Sequence, residues 1–279
     1  VENLIDRLID LAISEDIGDG DHSSLSCIPA DATGEVRLMV KQQGIIAGVE
    51  MAKRIFSRID RSIVFEPLIK DGTSVNPGDY VFTANGKTHS LLQSERIVLN
   101  VMQRMSGIAT QTNRYVKMIE GTKAKILDTR KTTPGMRVFD KLAVRIGGGE
   151  NHRMGLFDMI MLKDNHIDFA GGIENAIRKA NAYLINTGRT LGIEVETRNL
   201  KEVERVLSVG NVQRIMLDNF NLADTREAVS LINGRFETES SGGINLETIR
   251  GYAECGVDFI SVGAITHQIQ SIDMNLKKV

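Results

Sequence analysis

Residues 128–137 read Asp-Thr-Arg-Lys-Thr-Thr-Pro-Gly-Met-Arg, and their types and order suit a multiply charged anion. The mostly apolar run Ala124-Lys125-Ile126-Leu127 ends there, so Arg130 and Lys131 stand where a buried strand opens into a loop. Thr132-Thr133-Pro134-Gly135 supplies the turn. Cations at a strand mouth, beside hydroxyls, match the charge and geometry of carboxylates and phosphates.

Further candidates follow downstream. Lys163 ends the apolar run Met159-Ile160-Met161-Leu162, which directs it to a pocket; the bland alternative is a snorkelling surface lysine. His152 and Arg153 follow Gly147-Gly148-Gly149-Glu150-Asn151, expected to be a mobile loop that delivers them to a substrate. Alone, His152 reads equally as a structural histidine. Glu196 and Asp218 fall on neighbouring strand ends, a placement suited to hydrated Mg2+. Otherwise Glu196 is a solvated strand end and Asp218 an N-cap before Leu222. Ser240-Ser241-Gly242-Gly243 leads toward a helix expected near Asn245, and Gly263 follows the last strand. Backbone N–H groups at such turns favour phosphate, and the loops after a barrel's final strands commonly bind it. Either turn by itself is an ordinary strand-to-helix connection. The 5 histidines show no zinc spacing, and no Ser/His/Asp arrangement is present.

These residues need elements to position them. Strands are predicted at Lys125–Asp128, Met159–Leu162, Ile193–Glu196, Arg214–Asp218, Glu237–Ser240 and Phe259–Val262. Helical patterns fill the gaps at about 172–185, 200–208, 223–232 and 246–254. This alternation implies parallel pairing with right-handed crossovers. A full eight-stranded barrel takes about 250 residues, more than this half holds, so an incomplete or seven-unit α/β barrel is preferred to a doubly wound open sheet. Every strand end carries a polar residue, and enzymes of both folds place their chemistry at that edge.

The first hundred residues are organised differently. Leu4, Ile5, Leu8, Leu11 and Ala12 predict an amphipathic helix, followed by the loop Asp16-Ile17-Gly18-Asp19-Gly20-Asp21. Val36, Leu38 and Val40 alternate as a half-buried strand. Ile63-Val64-Phe65 and Tyr80-Val81-Phe82, separated by turns at Asp71-Gly72, Pro77-Gly78-Asp79 and Asn85-Gly86, predict a small antiparallel sheet. Its spacing is faintly similar to biotinyl- or lipoyl-type domains, but no lysine occupies a hairpin tip. A long helix from about Leu91 carries an apolar stripe of Ile97, Val98, Val101, Met102, Met105, Ile108 and Ala109, with Arg96, Asn100, Gln103 and Arg104 off it.

Composition excludes some classes. A chain of 279 residues with net charge −2 lacks the basic footprint of a general nucleic-acid or anionic-membrane binder. Aromatic content of 5% gives no base-stacking surface. No apolar run reaches the roughly 20 residues of a membrane span, and the acidic start Val1-Glu2-Asn3 is unlike a secretory signal. Cys27 and Cys255 read as buried small hydrophobes in a reducing, cytoplasmic compartment.

Taken together, Asp128–Gly135, His152-Arg153, Lys163-Asp164-Asn165-His166, Leu217-Asp218-Asn219-Phe220 and Ser240-Ser241-Gly242-Gly243-Ile244 resemble quinolinate phosphoribosyltransferase, also called nicotinate-nucleotide pyrophosphorylase (carboxylating). The resemblance extends to Glu15–Asp21 and to Ser261–His267. It implies an N-terminal α/β sandwich over residues 1–108, with the tail 268–279 packing on it. An incomplete, six- or seven-stranded α/β barrel of type II phosphoribosyltransferase kind then covers 109–267. It also implies a homodimer or higher oligomer with shared sites, Arg96 crossing into the neighbour's pocket. By resemblance Arg130, His152, Arg153 and Lys163 join Arg96 around quinolinate, and Lys131 and Lys163 stand between the substrates. Glu196 and Asp218 lie near the ribose hydroxyls and Mg2+. Ser240, Ser241, Gly242, Gly243, Gly263 and His267 take phosphoribosyl pyrophosphate. Thr197-Arg198 is more polar than the family pattern.

The resemblance implies transfer of the phosphoribosyl group of phosphoribosyl pyrophosphate to quinolinate with decarboxylation, giving nicotinate mononucleotide, and the residue types fit that reaction. Two highly charged anions meet only in a cationic pocket with Mg2+ shielding the pyrophosphate. Two rivals are a phosphoribosyltransferase of the same fold acting on nicotinate or another base, and a non-catalytic phosphate-binding protein. The number of cations favours a dicarboxylate over the first. The acidic pair Glu196 and Asp218 argues against the second.

Overall fold

The structure is a computed structural model describing residues 2–279. In chain order the elements are α1 (Glu2–Ile17), α2 (His22–Cys27), β1 (Thr33–Val40), β2 (Gly44–Ile45), α3 (Val49–Ile59), β3 (Val64–Pro67), β4 (Ser74–Val75), β5 (Tyr80–Lys87) and α4 (Thr88–Met118). They continue as β6 (Lys125–Leu127), α5 (Arg137–Ile146), β7 (Met159–Leu162), α6 (Asp164–Ala170), α7 (Ile173–Thr187), β8 (Gly192–Thr197) and α8 (Leu200–Val209). The last are β9 (Arg214–Asp218), α9 (Leu222–Ile232), β10 (Glu237–Ser241), α10 (Ile249–Glu254), β11 (Phe259–Ser261), α11 (Ala264–His267) and β12 (Met274–Lys278). Two units result. One holds the chain up to Asn113 with Thr132–Gly148 and Ile265–Val279; the other holds Arg114–Lys131 and Gly149–Ala264.

In the first unit the alternation of Val36, Leu38 and Val40 makes β1 the centre of an antiparallel sheet ordered β12-β1-β5-β3. Leu38 pairs with Leu276 on one side and Phe82 on the other. Phe82 meets Phe56 of α3 edge-on at 5.8 Å and Phe65 of β3 at 4.7 Å, contacts worth more than their area alone. The apolar stripe of α4 is buried throughout, as its spacing requires. Its polar residues tie down β2: Thr110 Oγ1 accepts from Ile45 N at 2.8 Å, and Ser106 Oγ accepts from Ala47 N at 2.9 Å.

Three expectations fail here. Leu4 and Leu11 are exposed, because α1 seats Ile5 and Ile9, one turn apart, into the core instead. Asn85-Gly86 is no turn; β5 runs through it, Asn85 pairing with Glu35 and Gly86 with Gly34. Cys27 is exposed at the end of α2, while Cys255 is buried.

In the second unit six parallel strands form one sheet, ordered β6-β11-β10-β9-β8-β7, at the positions their apolar runs predict. The order leaves β7 at an edge, so the barrel is incomplete. Beyond β6 a parallel bridge from Leu127 to Glu150 begins a further strand. That bridge ties the end of the expected mobile loop to β6. Glu150 N donates to Ile126 O at 2.8 Å and Asp128 N to Glu150 O at 3.2 Å, strapping residues 150–152 along β6. Several helices escaped the pattern reading, among them α2, α3, α5 and α6. In the first unit α5 buries Val138, Phe139, Ala143 and Val144; in the second, the short α6 buries only Ile167.

Candidate active site

Period-two alternation sets the barrel's interior. On β8, Ile193 and Val195 turn one way and Glu194 and Glu196 the other; on β10, Glu239 and Ser241 share the inner face. Glu194 lies deep and Glu196 nearer the carboxyl edge. The strand ends of this unit carry Arg130, Lys131, Lys163, Glu196, Asp218 and Ser241 along that edge.

At the end of β6, Asp128 is fully buried and its Oδ1 accepts from His152 N at 2.9 Å. The acid therefore pins the incoming segment, while Arg130 and Lys131 remain exposed. Lys131 N donates to Thr129 Oγ1 at 3.0 Å, shaping the turn. His152 and Arg153 are both buried. Arg153 Nη1 donates to Met159 O at 3.2 Å. Burial, and next the charge of Arg130, hold the Arg153 guanidinium below its ordinary pKa. Arg130 and Arg153 therefore lie close enough to feel each other's charge.

Lys163 projects from the end of β7 with its Nζ 3.7 Å from Glu196 Oε2. Its backbone N donates to His166 Nδ1 at 3.0 Å, so His166 fixes where the lysine leaves the strand. Burial raises the Glu196 pKa; the charge of Lys163 lowers it, and those of Asp218 and Asp164 raise it further. The acidic pair and Lys163 thus form one electrostatic group. Asp218 Oδ2 accepts from Asn219 Nδ2 at 2.7 Å. Asp218 is not the cap of α9; Asn221 takes that place, accepting from Asp224 N.

Gly242 and Gly243 follow β10 at φ of 94° and 61°. A Cβ on Gly242 would overlap the Asn219 side chain and come within 2.8 Å of Asn219 N, so the two strand ends approach closely only because Gly242 has none. Ser261 Oγ donates to Ser241 Oγ at 3.1 Å. Ser240 is buried, on the opposite face of β10 from Ser241. The helix expected near Asn245 starts at Ile249, after a turn in which Asn245 Oδ1 accepts from Glu247 N and Thr248 N. The glycine turn, not a helix terminus, offers the amides here. Arg96 on α4 and His267 on α11 are exposed residues of the first unit.

Sequence reasoning missed the buried support. His152 Nε2 lies 2.8 Å from Glu194 Oε2 and 3.5 Å from Glu239 Oε2. Arg214 Nη1 is 3.0 Å from Glu239 Oε2, its guanidinium 4.0 Å from the centroid of the Phe259 ring. In the first unit Arg104 makes a bidentate pair with buried Asp140, both contacts 2.8 Å, and donates to Thr133 Oγ1 at 2.9 Å. The only sequence signal for Glu239 was the Glu-Thr-Glu spacing on a strand otherwise buried.

Known proteins resemble this chain in sequence and in fold. Residues 108–277 match the family described as Quinolinate phosphoribosyl transferase, C-terminal domain, and residues 21–106 its N-terminal domain. A tobacco (Nicotiana tabacum) protein named quinolinate phosphoribosyltransferase [decarboxylating] 1b is 46% identical over 97% of this chain and 81% of its own length. A probable nicotinate-nucleotide pyrophosphorylase [carboxylating] of Bacillus subtilis is 39% identical over 97% of this chain and 92% of its own. The solved nicotinate-nucleotide pyrophosphorylase of Francisella tularensis superposes with a TM-score of 0.93 at 39% identity, covering 100% of this chain and 97% of that one. With both domains matched in order and such relatives along nearly its whole length, the chain belongs to the quinolinate phosphoribosyltransferase family.

Proposed function

We infer that this enzyme transfers the phosphoribosyl group of phosphoribosyl pyrophosphate to quinolinate, with decarboxylation, giving nicotinate mononucleotide, pyrophosphate and CO2 for NAD biosynthesis. The carrying observation is that Arg130, Lys163, Glu196 and Asp218 all stand at the carboxyl ends of strands of one parallel sheet, with Lys163 Nζ 3.7 Å from Glu196 Oε2. Arg130 and Arg153, with His152 beside them, receive the two carboxylates. Lys131 and Lys163 stand between the substrates, and Ser241, Gly242, Gly243, Gly263 and His267 take the 5′-phosphate end. Arg96 completes the quinolinate pocket of a partner in a homodimer or higher oligomer. The exposed Leu156, Phe157 and Phe169 support cover by a second chain.

The chemistry follows from charge. The pyridine nitrogen forms a bond to ribose C1 as the C1–O bond breaks, its electron pair leaving with pyrophosphate. Glu196, held near Lys163, stabilises the developing oxocarbenium charge. The new pyridinium draws in the electron pair released when the 2-carboxylate departs as CO2, and the ring carbon takes up a proton. A cationic, partly desolvated pocket favours that charge-neutralising loss. No base is needed to prepare the nucleophile.

Mg2+ suits Glu196 and Asp218. The charge of Asp218 makes that of Glu196 costlier, a strain that a divalent cation relieves, and Mg2+ takes one or two carboxylates plus waters. These two side chains would hold it, directly or through water, and it supplies neutralisation of the pyrophosphate. The compartment proposed is the cytoplasm. No described helix is long and apolar enough to cross a membrane, and the two cysteines are unpaired.

The test is direct competition of substrates. Purified protein with phosphoribosyl pyrophosphate and Mg2+ is expected to consume quinolinate and leave nicotinate untouched. Turnover of nicotinate with quinolinate ignored would reject the reading.

A further inference from the structure

A buried chain of polar groups runs beneath the pocket. His152 Nδ1 lies 2.7 Å from Arg153 N, and an amide can only donate, so Nδ1 accepts and the ring proton is assigned to Nε2. Nε2 itself lies 2.8 Å from Glu194 Oε2. Both Glu194 and Glu239 are fully buried. Counted as two carboxylates they leave both Glu194 oxygens and Glu239 Oε1 without a hydrogen bond, and a proton on Glu239 lets it donate to Glu194. Arg214 anchors Glu239 from below at 3.0 Å.

The donor atoms of His152, Glu194 and Glu239 also lie within 4.8 Å of one another, close enough for a metal ion. Arg214 already sets a positive charge against Glu239, and a protonated Nε2 is no metal ligand. A support network fits better than a metal centre.

We propose that Glu194, backed by Glu239, is a positioning residue for quinolinate binding: it fixes the tautomer and plane of His152, and His152 in turn fixes the backbone of Arg153. The inference rests on the reading that Arg153 binds a carboxylate. Nothing in the transfer step itself passes through Glu194. Its loss therefore falls on the base and spares the sugar phosphate.

Glu194→Leu fills the same space and removes the acceptor, whereas Glu194→Gln keeps one. Steady-state kinetics on Glu194→Leu is expected to show KM for quinolinate raised about tenfold, with KM for phosphoribosyl pyrophosphate within about twofold and kcat changed less than either extreme of a misfolded site. Glu194→Gln is expected to recover most of the loss. Equal shifts in both KM values, no shift at all, or a Gln variant as impaired as Leu would overturn the proposal. Arg153→Ala runs beside them: if it leaves quinolinate KM unchanged, the pocket reading fails rather than the positioning. Nitrogen-15 NMR of histidine-labelled wild-type protein tests the same point without a variant. An Nε2-protonated His152 is expected, and an Nδ1-protonated ring or an imidazolium would contradict the proposal.

Discussion

Glu239 keeps its proton more tightly when folded than unfolded. Burial first, and the charge of Glu194 second, push its pKa from an ordinary 4.5 up to about 8, against the pull of His152, Arg214 and Ser261. Burial also raises Glu194, so the two titrate as a pair. A raised carboxyl contributes most below its unfolded pKa, and that contribution is lost as pH climbs through the folded one. Denaturant unfolding is therefore expected to show stability from this pair declining from about pH 5 to pH 8, by roughly 1 kcal/mol per unit at most. Glu239→Gln, which cannot ionise, is expected to flatten the curve relative to wild type. Parallel curves for the two proteins would refute it.

Helix α4 and the strand ends carry the next predictions. Arg104 reaches from α4 to the fully buried Asp140 of α5 and to Thr133. Arg104→Ala leaves that carboxylate buried without its partner, a loss of about 3 kcal/mol, measurable as a lower urea midpoint; a change below about 1 kcal/mol would mean the pair is replaceable by water. Gly242→Ala forces a Cβ into Asn219 at a φ that suits glycine. It is expected to raise KM for phosphoribosyl pyrophosphate about tenfold with quinolinate KM nearly unchanged. Equal effects on both substrates would remove the glycine turn from the phosphate site.

The same elements show how far residue types carry. Strands buried on both faces read as short apolar runs, so Met159–Leu162 located β7 and placed Lys163 at its end. Helices α5 and α6 are short, and the loop chemistry of Thr132–Gly135 and Lys163–His166 drew attention from their patterns. Arg214, Glu194 and Glu239 were illegible as a group, since charged residues are ordinarily exposed and only folding brings three strands together. The glycines of 147–149 argued for mobility, and the backbone bonds of Glu150 tie the end of that loop to β6.

For the whole molecule, the six-stranded barrel remains open at β7, and the proposed site takes Arg96 from a partner. Arg96→Ala and Lys163→Ala are each expected to be inactive. Equal mixtures that exchange subunits are expected to recover about a quarter of wild-type activity, because half the dimers are hybrids with one intact site. No recovery, with exchange shown independently, would argue for sites confined to single chains. The central claim is that one site joins a dicarboxylate base to ribose and then expels its 2-carboxylate. Quinolinate labelled with carbon-13 at that carboxylate tests it most directly. One labelled CO2 is expected for every nicotinate mononucleotide and pyrophosphate formed; product that retains the label, or pyrophosphate released without CO2, would contradict the account.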